Sequence, residues 1–379
     1  MSVFGNVAIN RVNLHYAVQQ FAQTAGGIFF LVYMLKAGVP VAIALIAQAA
    51  IVTERFAVRS IVVPLASRIG LRRTLMLGTA LEALAFPLLA EIHGVDAAFI
   101  ALCVITPLGS ALYWTCYHAY FAALGDAEAR GGQIAFREAV IAIIGIVGPL
   151  LGGWLLVTAG PRIAFNIVAV LQLLAALPLI GGPEVRVAES GPVGLRAAGV
   201  GAALMATDGW FAASYYYVWQ IALFVALDQS IAGYAGAMAL AAVAGAAVGL
   251  LMGRVIDIGH GRRALMLAYG VAAGLVALRA ASLGSPWLAV TANALGAFVN
   301  ALLIPALMTP VYNLAKASPC PLRFHVGTEG GWDIGCALGC LIAAGFVAAG
   351  QSLVTPILLA YVGGAAAFVL LWRAYARPA

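Results

Sequence analysis

The chain has 379 residues, of which 64% are hydrophobic and only 9% charged, and its mean hydropathy is +1.02. Ordinary soluble domains carry about 25% charged residues, so this composition excludes a water-soluble globule. The formal net charge of +6 is accounted for by membrane orientation, as set out below, and not by a nucleic-acid surface.

A helix rising about 1.5 Å per residue needs about 20 mostly apolar residues to cross a hydrocarbon core about 30 Å thick. The apolar runs predict spans at 13–36, 41–66, 74–93, 97–123, 133–158, 162–181, 197–226, 231–255, 264–283, 287–315, 327–349 and 353–373. That makes twelve, six in each half, and spans 4, 7 and 10 are long enough to tilt. Runs such as 141–157 and 238–252 are continuously apolar or small. They lack the alternation of a β-barrel strand, so the fold class is an all-α membrane protein. The polar start, 6–13, leads straight into the first span without the basic and cleavable segments of a signal peptide, so that span is expected to stay in the mature protein.

Cytoplasmic loops accumulate Lys and Arg. With the N-terminus inside, the inner side holds Arg11, Arg68, Arg72, Arg73, Arg130, Arg186, Arg196, Arg254, Arg262, Arg263, Lys316, Arg323, Arg373 and Arg377, against little more than Lys36 and Arg162 outside. Both termini are therefore expected in the cytoplasm, in a cell inner membrane. The Gly-, Pro- and charge-rich stretch 181–192 marks a midpoint linker. It divides the chain into bundles at 1–181 and 197–379, joined by 182–196. Cys103, Cys116, Cys320, Cys336 and Cys340 fall in spans or a cytoplasmic loop, which suggests no disulfide framework. Cys336 and Cys340 share a helix face near His325, a soft-metal pattern that reads more simply as small residues packing in a Gly-rich helix.

Residues 72–77, Arg-Arg-Thr-Leu-Met-Leu, return at 262–267 as Arg-Arg-Ala-Leu-Met-Leu, so the two halves repeat one plan. Six helices, a short cytoplasmic linker, six more helices and a basic turn after helices 2 and 8 resemble the major facilitator superfamily over the whole chain. That family's loop signature runs Gly, three residues, Asp, a basic residue, any, Gly, any, then two basic residues. The first half keeps Arg68, Gly70, Arg72 and Arg73 but has Val63 and Ser67 at the Gly and Asp positions. The second keeps Gly253, Asp257, Arg262 and Arg263, with His260 at the second Gly position. Gly145, Gly148, Pro149, Gly152 and Gly153 are similar to the family's helix-5 glycine-proline signature, often found in antiporters. The resemblance implies a twelve-helix fold, two halves that rock to expose a central site alternately, and loop residues that govern transitions between states. The positive-inside signal alone is the competing account of those loop residues.

Ionisable groups at membrane depth cost at least about 2.5–3.5 kcal/mol even on lenient scales, so they mark function. Span 2 holds Glu54, Arg55 and Arg59; span 3, Glu82; span 4, His118; span 5, Arg137 and Glu138; span 7, Asp208; span 11, Glu329 and Asp333. Arg55 and Arg59 share one face of their helix, as do Glu329 and Asp333, and like charges four apart repel unless opposed. Arg59 lies roughly 13 Å and Asp333 roughly 9 Å from the inner ends of their helices. By resemblance, helices 2 and 11 face each other, which makes Arg59 with Asp333 or Glu329 an inner gate. Helix 5 likewise faces helix 8 and pairs Glu138 with Arg254. Glu138 and Glu329 are 191 positions apart and equivalent in the two halves; stabilising helix N-termini is the plainer role for both. Glu54 and Asp208 are the favoured proton carriers, with Glu138, Glu329 and Asp333 also eligible, whereas the resemblance places Glu82 on a peripheral helix.

Tyr113, Trp114, Tyr117 and His118 lie deep enough in span 4 to line a pocket, while residues 215–219 read equally as pocket or as interfacial aromatic belt. Aromatic rings with Arg55, Arg59 and Arg137 suit a small organic anion or an amphiphile, although the acids permit a cation. No Walker sequence, H-E-x-x-H or G-x-S-x-G is present, so the expectation is a non-enzymatic, cofactor-free, monomeric secondary transporter driven by the proton gradient. Its rivals are a proton-antiport exporter of drugs or metabolites and a non-transporting receptor or scaffold on the same fold, the latter favoured by Ser67 in the signature.

Overall fold

Helix α1 (Val7–Ala25) begins where Asn6 accepts the Ile9 N–H at 3.1 Å, a side-chain cap that satisfies a donor the first turn would otherwise leave open. The polar start 6–13 is therefore helical, and it turns Asn13 and His15 inward. The computed structural model describes residues 5–124, 130–186, 195–252, 261–318 and 321–375.

After a 3-10 turn at Gly27–Phe29 the first span continues as α2 (Phe30–Lys36), followed by α3 (Val41–Ile69), α4 (Leu71–Ala90), α5 (Ala97–Leu124), α6 (Arg130–Thr158) and α7 (Pro161–Leu174). The later part of the chain runs α8 (Leu195–Ala212), a π turn (Ala213–Val218), α9 (Trp219–Ala226), α10 (Ile231–Met252), α11 (Gly261–Ala281), α12 (Pro286–Ala317), α13 (Pro321–Ala348), α14 (Val354–Leu358) and α15 (Ala360–Ala374). No strand occurs among the described residues. Ten helical stretches among them are long and apolar enough to cross a membrane. The first and seventh predicted spans fall outside that set: α1 is 19 residues long but carries Asn, Arg, His and Gln side chains, and α8 is 18 residues long with Arg196 and Asp208 within it. The predicted seventh span is two α-helices about a π segment, and the twelfth divides at Leu359. The Leu359 carbonyl accepts the Val362 N–H at 3.1 Å and Trp210 Nε1–H at 3.0 Å, so α8 is tied to the break by a side-chain bond.

Packing divides the chain into two units, Met1–Val39 with Glu54–Ser190 and Pro40–Thr53 with Gly191–Ala379. Helix α3 contributes to both. In the first unit α1 lies against α6, and a Cβ on Gly152 would run into the Ala25 carbonyl. In the second unit α8 lies against α13, where a Cβ on Gly335 would run into the Ala206 carbonyl. Small residues that let backbones touch replace the hydrophobic driving force missing inside lipid, so the glycines of span 5 have a packing role with a counterpart in span 11. Large apolar side chains face outward in numbers no aqueous surface tolerates, Trp154, Val157, Ile163 and Val170 among them.

Cys336 and Cys340 are fully buried in the apolar core of the second unit beside Ala213 and Ala337. They pack there as small side chains.

Candidate functional site

Within the first unit, α5 presents a ladder of rings toward α1. Tyr117 stacks on Tyr16 at 4.7 Å between centroids and lies parallel to Tyr113 at 5.9 Å. Tyr113 and Tyr117 are buried, as the sequence depth implies, whereas His118 is exposed and stacks on Trp114 at 5.8 Å.

Arg137, about two turns into α6, closes this ladder. Its Nη1 donates to the Tyr117 hydroxyl at 2.9 Å, and its guanidinium carbon lies 5.0 Å from the Tyr16 ring centre and 5.1 Å from that of Phe121. Glu138 Oε1 accepts from Nη2 at 2.6 Å and from Nε at 3.0 Å. The Arg side chain is 17% exposed and the Glu side chain 56%, so the cation is held inside the ring cage and its carboxylate sits at the mouth. A guanidinium stacked on aromatic faces presents its fork to planar acceptors such as carboxylates, and here Glu138 occupies Nε and Nη2 while Tyr117 takes Nη1.

Arg55 and Arg59 both point toward α5. Arg55 Nη1 lies 3.5 Å from the Ser110 hydroxyl and Arg59 Nη1 3.3 Å from that of Thr115, with Arg59 buried. Glu54, half-buried on α3, makes no hydrogen bond or ion pair among the described residues. In the second unit Asp208 accepts Trp332 Nε1–H at 3.0 Å and Asp333 is fully buried. Glu329 is half-buried on α13. Gly253, Arg254 and Asp257 lie outside the described residues, so the expected pairing of Glu138 with Arg254 is not described, and the partner described for Glu138 is its neighbour Arg137.

The basic turns are more than a topological signal. Glu184 accepts the Arg72 N–H at 2.9 Å and Arg72 Nε at 3.3 Å, lies 3.8 Å from Arg73 Nε, and occupies the space a side chain on Gly70 would fill. Arg72 Nη1 also donates to the Leu179 carbonyl at 3.3 Å. Its repeat, Arg262, donates to the Trp372 carbonyl at 3.4 Å and stacks on that ring at 4.6 Å. Each basic turn thus clasps the end of its own unit's last helical segment. Arg68 and Arg73, by contrast, are turned largely outward. Glu184, read in sequence only as linker, supplies the negative half of the first clasp.

Two other buried ionisable residues stand apart from the expected site. Glu82, expected at the periphery, is only 8% exposed and bonded by glutamines from two neighbouring helices, because α4 packs into α5 and α7 along a seam of small residues. Arg279, absent from the inventory of membrane-depth charges although it sits four residues from the predicted end of span 9, is 4% exposed in the second unit. Tyr215 and Trp219, which read equally as belt or pocket, are buried against it, and Trp219 Nε1 donates to Asn293 at 3.0 Å.

A model of the Major Facilitator Superfamily matches residues 16–204. The chain belongs to the Major Facilitator Superfamily. No curated protein is significantly similar to it in sequence. Among solved structures, this superfamily member is similar to the POT family transporter PepTSo, with 14% identity, 98% of each chain covered and a TM-score of 0.71. It is also similar to a proton dependent oligopeptide (POT) family transporter, with 15% identity, 96% of this chain and 100% of that one covered and a TM-score of 0.71. The human organic anion transporter MFSD10 (TETRAN) matches at 16% identity over 96% of this chain and 99% of that one, with a TM-score of 0.68. At such identities the likeness is one of fold. It makes this chain a multi-pass membrane protein with the transporter fold of its superfamily.

Proposed function

We propose that this superfamily member is a secondary active transporter that moves a small organic anion, or an amphiphile carrying one, by alternating access coupled to protons. The observation that carries the reading is Arg137, a caged guanidinium at membrane depth whose carboxylate partner is the more exposed of the two. An anionic group on the solute would take the place of Glu138 at the guanidinium fork, and release of the solute would restore the internal pair. The fold's resemblance to a proton dependent oligopeptide transporter and to an organic anion transporter supports the same class.

In this reading both termini face the cytoplasm of a cell inner membrane and the protein works as a monomer of two six-helix halves. Arg59 with Asp333 or Glu329, and Glu138 with Arg254, are retained as gate partners on the strength of the family resemblance. The basic clasps at Arg72 and Arg262 hold each half together while the gates exchange.

The test is uptake of a panel of labelled organic acids, dipeptides and cations into proteoliposomes under an imposed pH gradient, comparing the wild type with Arg137→Gln. Accumulation of an anionic or zwitterionic solute that is lost in Arg137→Gln, with the variant still monodisperse, is the expected result. Undiminished transport by Arg137→Gln, or transport confined to cations, would overturn it.

A further inference from the structure

Glu82 stands about midway along α4, eleven residues beyond Leu71 and hence roughly 16 Å from that end of the helix. Gln172 Nε2 of α7 donates to its Oε2 at 2.9 Å, and Gln19 Nε2 of α1 lies 3.4 Å from the same oxygen. It makes no ion pair among the described residues. A carboxylate at this depth, with amides as its only partners, keeps most of the penalty of a buried charge.

The surrounding atoms show what is missing. From α5, the Tyr113 hydroxyl is buried without a partner. From α1, His15 Nδ1 lies 2.6 Å from the Ala175 carbonyl, which can only accept, so the proton of the neutral ring is on Nδ1 and Nε2 is a bare acceptor, also unpartnered. The His15 ring is 5.7 Å from that of Tyr113. From α7, Gln172 Oε1 is buried and unpartnered. From α2, which also packs on α4, Tyr33 turns edge-on to Phe165 and Lys36 lies in the last turn. The cluster therefore holds two unpartnered acceptors, His15 Nε2 and Gln172 Oε1, and one unpartnered hydroxyl, that of Tyr113, around an acid that no cation balances. A carboxylate is acceptor-only, whereas a carboxylic acid supplies one O–H donor and still accepts from an amide. One added proton removes the buried charge while the acid keeps the amide bond from Gln172.

We propose that Glu82 is a proton-binding site in the core of the first unit, protonated in the packing described and positioned by Gln172 and Gln19. It is the acid through which the proton gradient acts on this half of the protein. The proton arrives from water as hydronium and leaves to water as Glu82 ionises; no other bond changes. Ionisation requires water or a cation to reach the cluster, and hence a loosening of the α4, α5 and α7 packing, which ties proton release to a change of conformation. This role rests on the proposed proton-coupled transport, whereas the proton on Glu82 does not.

Infrared spectroscopy of the purified protein at neutral pH, in H2O and D2O, tests the site without any solute. The expected result is a protonated carboxylic C=O band that is lost in Glu82→Gln, an isosteric variant that retains an amide donor, and displaced in Gln172→Leu. Identical carbonyl spectra for wild type and Glu82→Gln would overturn the proposal. Should Glu82→Gln fail to fold, Gln172→Leu decides in the same way. In proteoliposomes, Glu82→Gln should lose proton-driven accumulation while keeping solute exchange; retained proton-driven accumulation would overturn the coupling role. If no solute is transported at all, the infrared comparison still decides whether the site holds a proton, so its failure and that of the transport reading are separable.

Discussion

Arg279 Nη1 donates to the main-chain carbonyl of Tyr215 at 2.7 Å, inside the π turn Ala213–Val218. The same guanidinium lies 4.0 Å from the Tyr215 ring centre and 4.6 Å from that of Trp219. π turns loosen the backbone ladder, and here a buried cation takes up a carbonyl of the loosened stretch. Arg279→Ala leaves that carbonyl unsatisfied in a buried site, at a cost of about 1–3 kcal/mol. A lowered melting temperature in detergent is expected. Arg279→Lys should recover only part of it, because an ammonium lacks the planar stacking of a guanidinium.

Gly70 has φ +92° and ψ 160°, a region essentially reserved for glycine that costs other residues about 1–3 kcal/mol. A Cβ there also meets the Glu184 carboxylate. Gly70→Ala is therefore expected to destabilise more than Glu184→Ala, which removes only a partly exposed clasp worth about 0–1 kcal/mol. In the double variant the collision is relieved but the backbone strain stays, so chemical denaturation should find partial recovery and not full.

Gly152→Ala and Gly335→Ala each force a methyl against a facing carbonyl, of Ala25 and Ala206 respectively, at about 1–3 kcal/mol apiece for overpacking. The two contacts share no residue, so the losses measured in single and double variants should add.

Asp96 accepts the Phe99 N–H at 2.8 Å and the His93 N–H at 2.9 Å in the turn before α5. These bonds, the Phe99 one foremost, hold its carboxyl below the usual carboxylate range. A depressed acid contributes stability above its unfolded-state value and loses it as the pH falls through the folded-state value. The melting temperatures of wild type and Asp96→Ala should accordingly differ most near neutrality and converge in acid.

The membrane spans, the duplication and the basic turns were legible because each writes a one-dimensional pattern: apolar length, a repeat, a charge cluster. Arg137 was legible for the same reason, as a charge that lipid alone would reject. Glu184 was not, since its partners lie 112 positions away and nothing local distinguishes it from a solvated linker acid. The family analogy put Glu82 on a peripheral helix, which says nothing of whether its side chain turns into the unit's own core. Its burial comes from Gln19 and Gln172, polar residues on two other helices whose convergence no spacing announces. Arg279 escaped notice because a single arginine near a span end resembles an ordinary interfacial anchor; only the π turn facing it reveals the carbonyl it serves.

The π turn at Ala213–Val218 has a bearing on how this chain is compared with its kin. An i→i+5 ring encloses one residue more than the α turn it replaces, and one residue is about 100° of helical rotation. Residues of Trp219–Ala226 therefore present side chains one step out of phase with a regular seventh helix. An alignment to any such relative needs a single-residue gap between 213 and 218, inside a membrane segment, where alignments are ordinarily built to forbid one. Without that gap, every residue assigned by homology in the last third of this helix is read one place off.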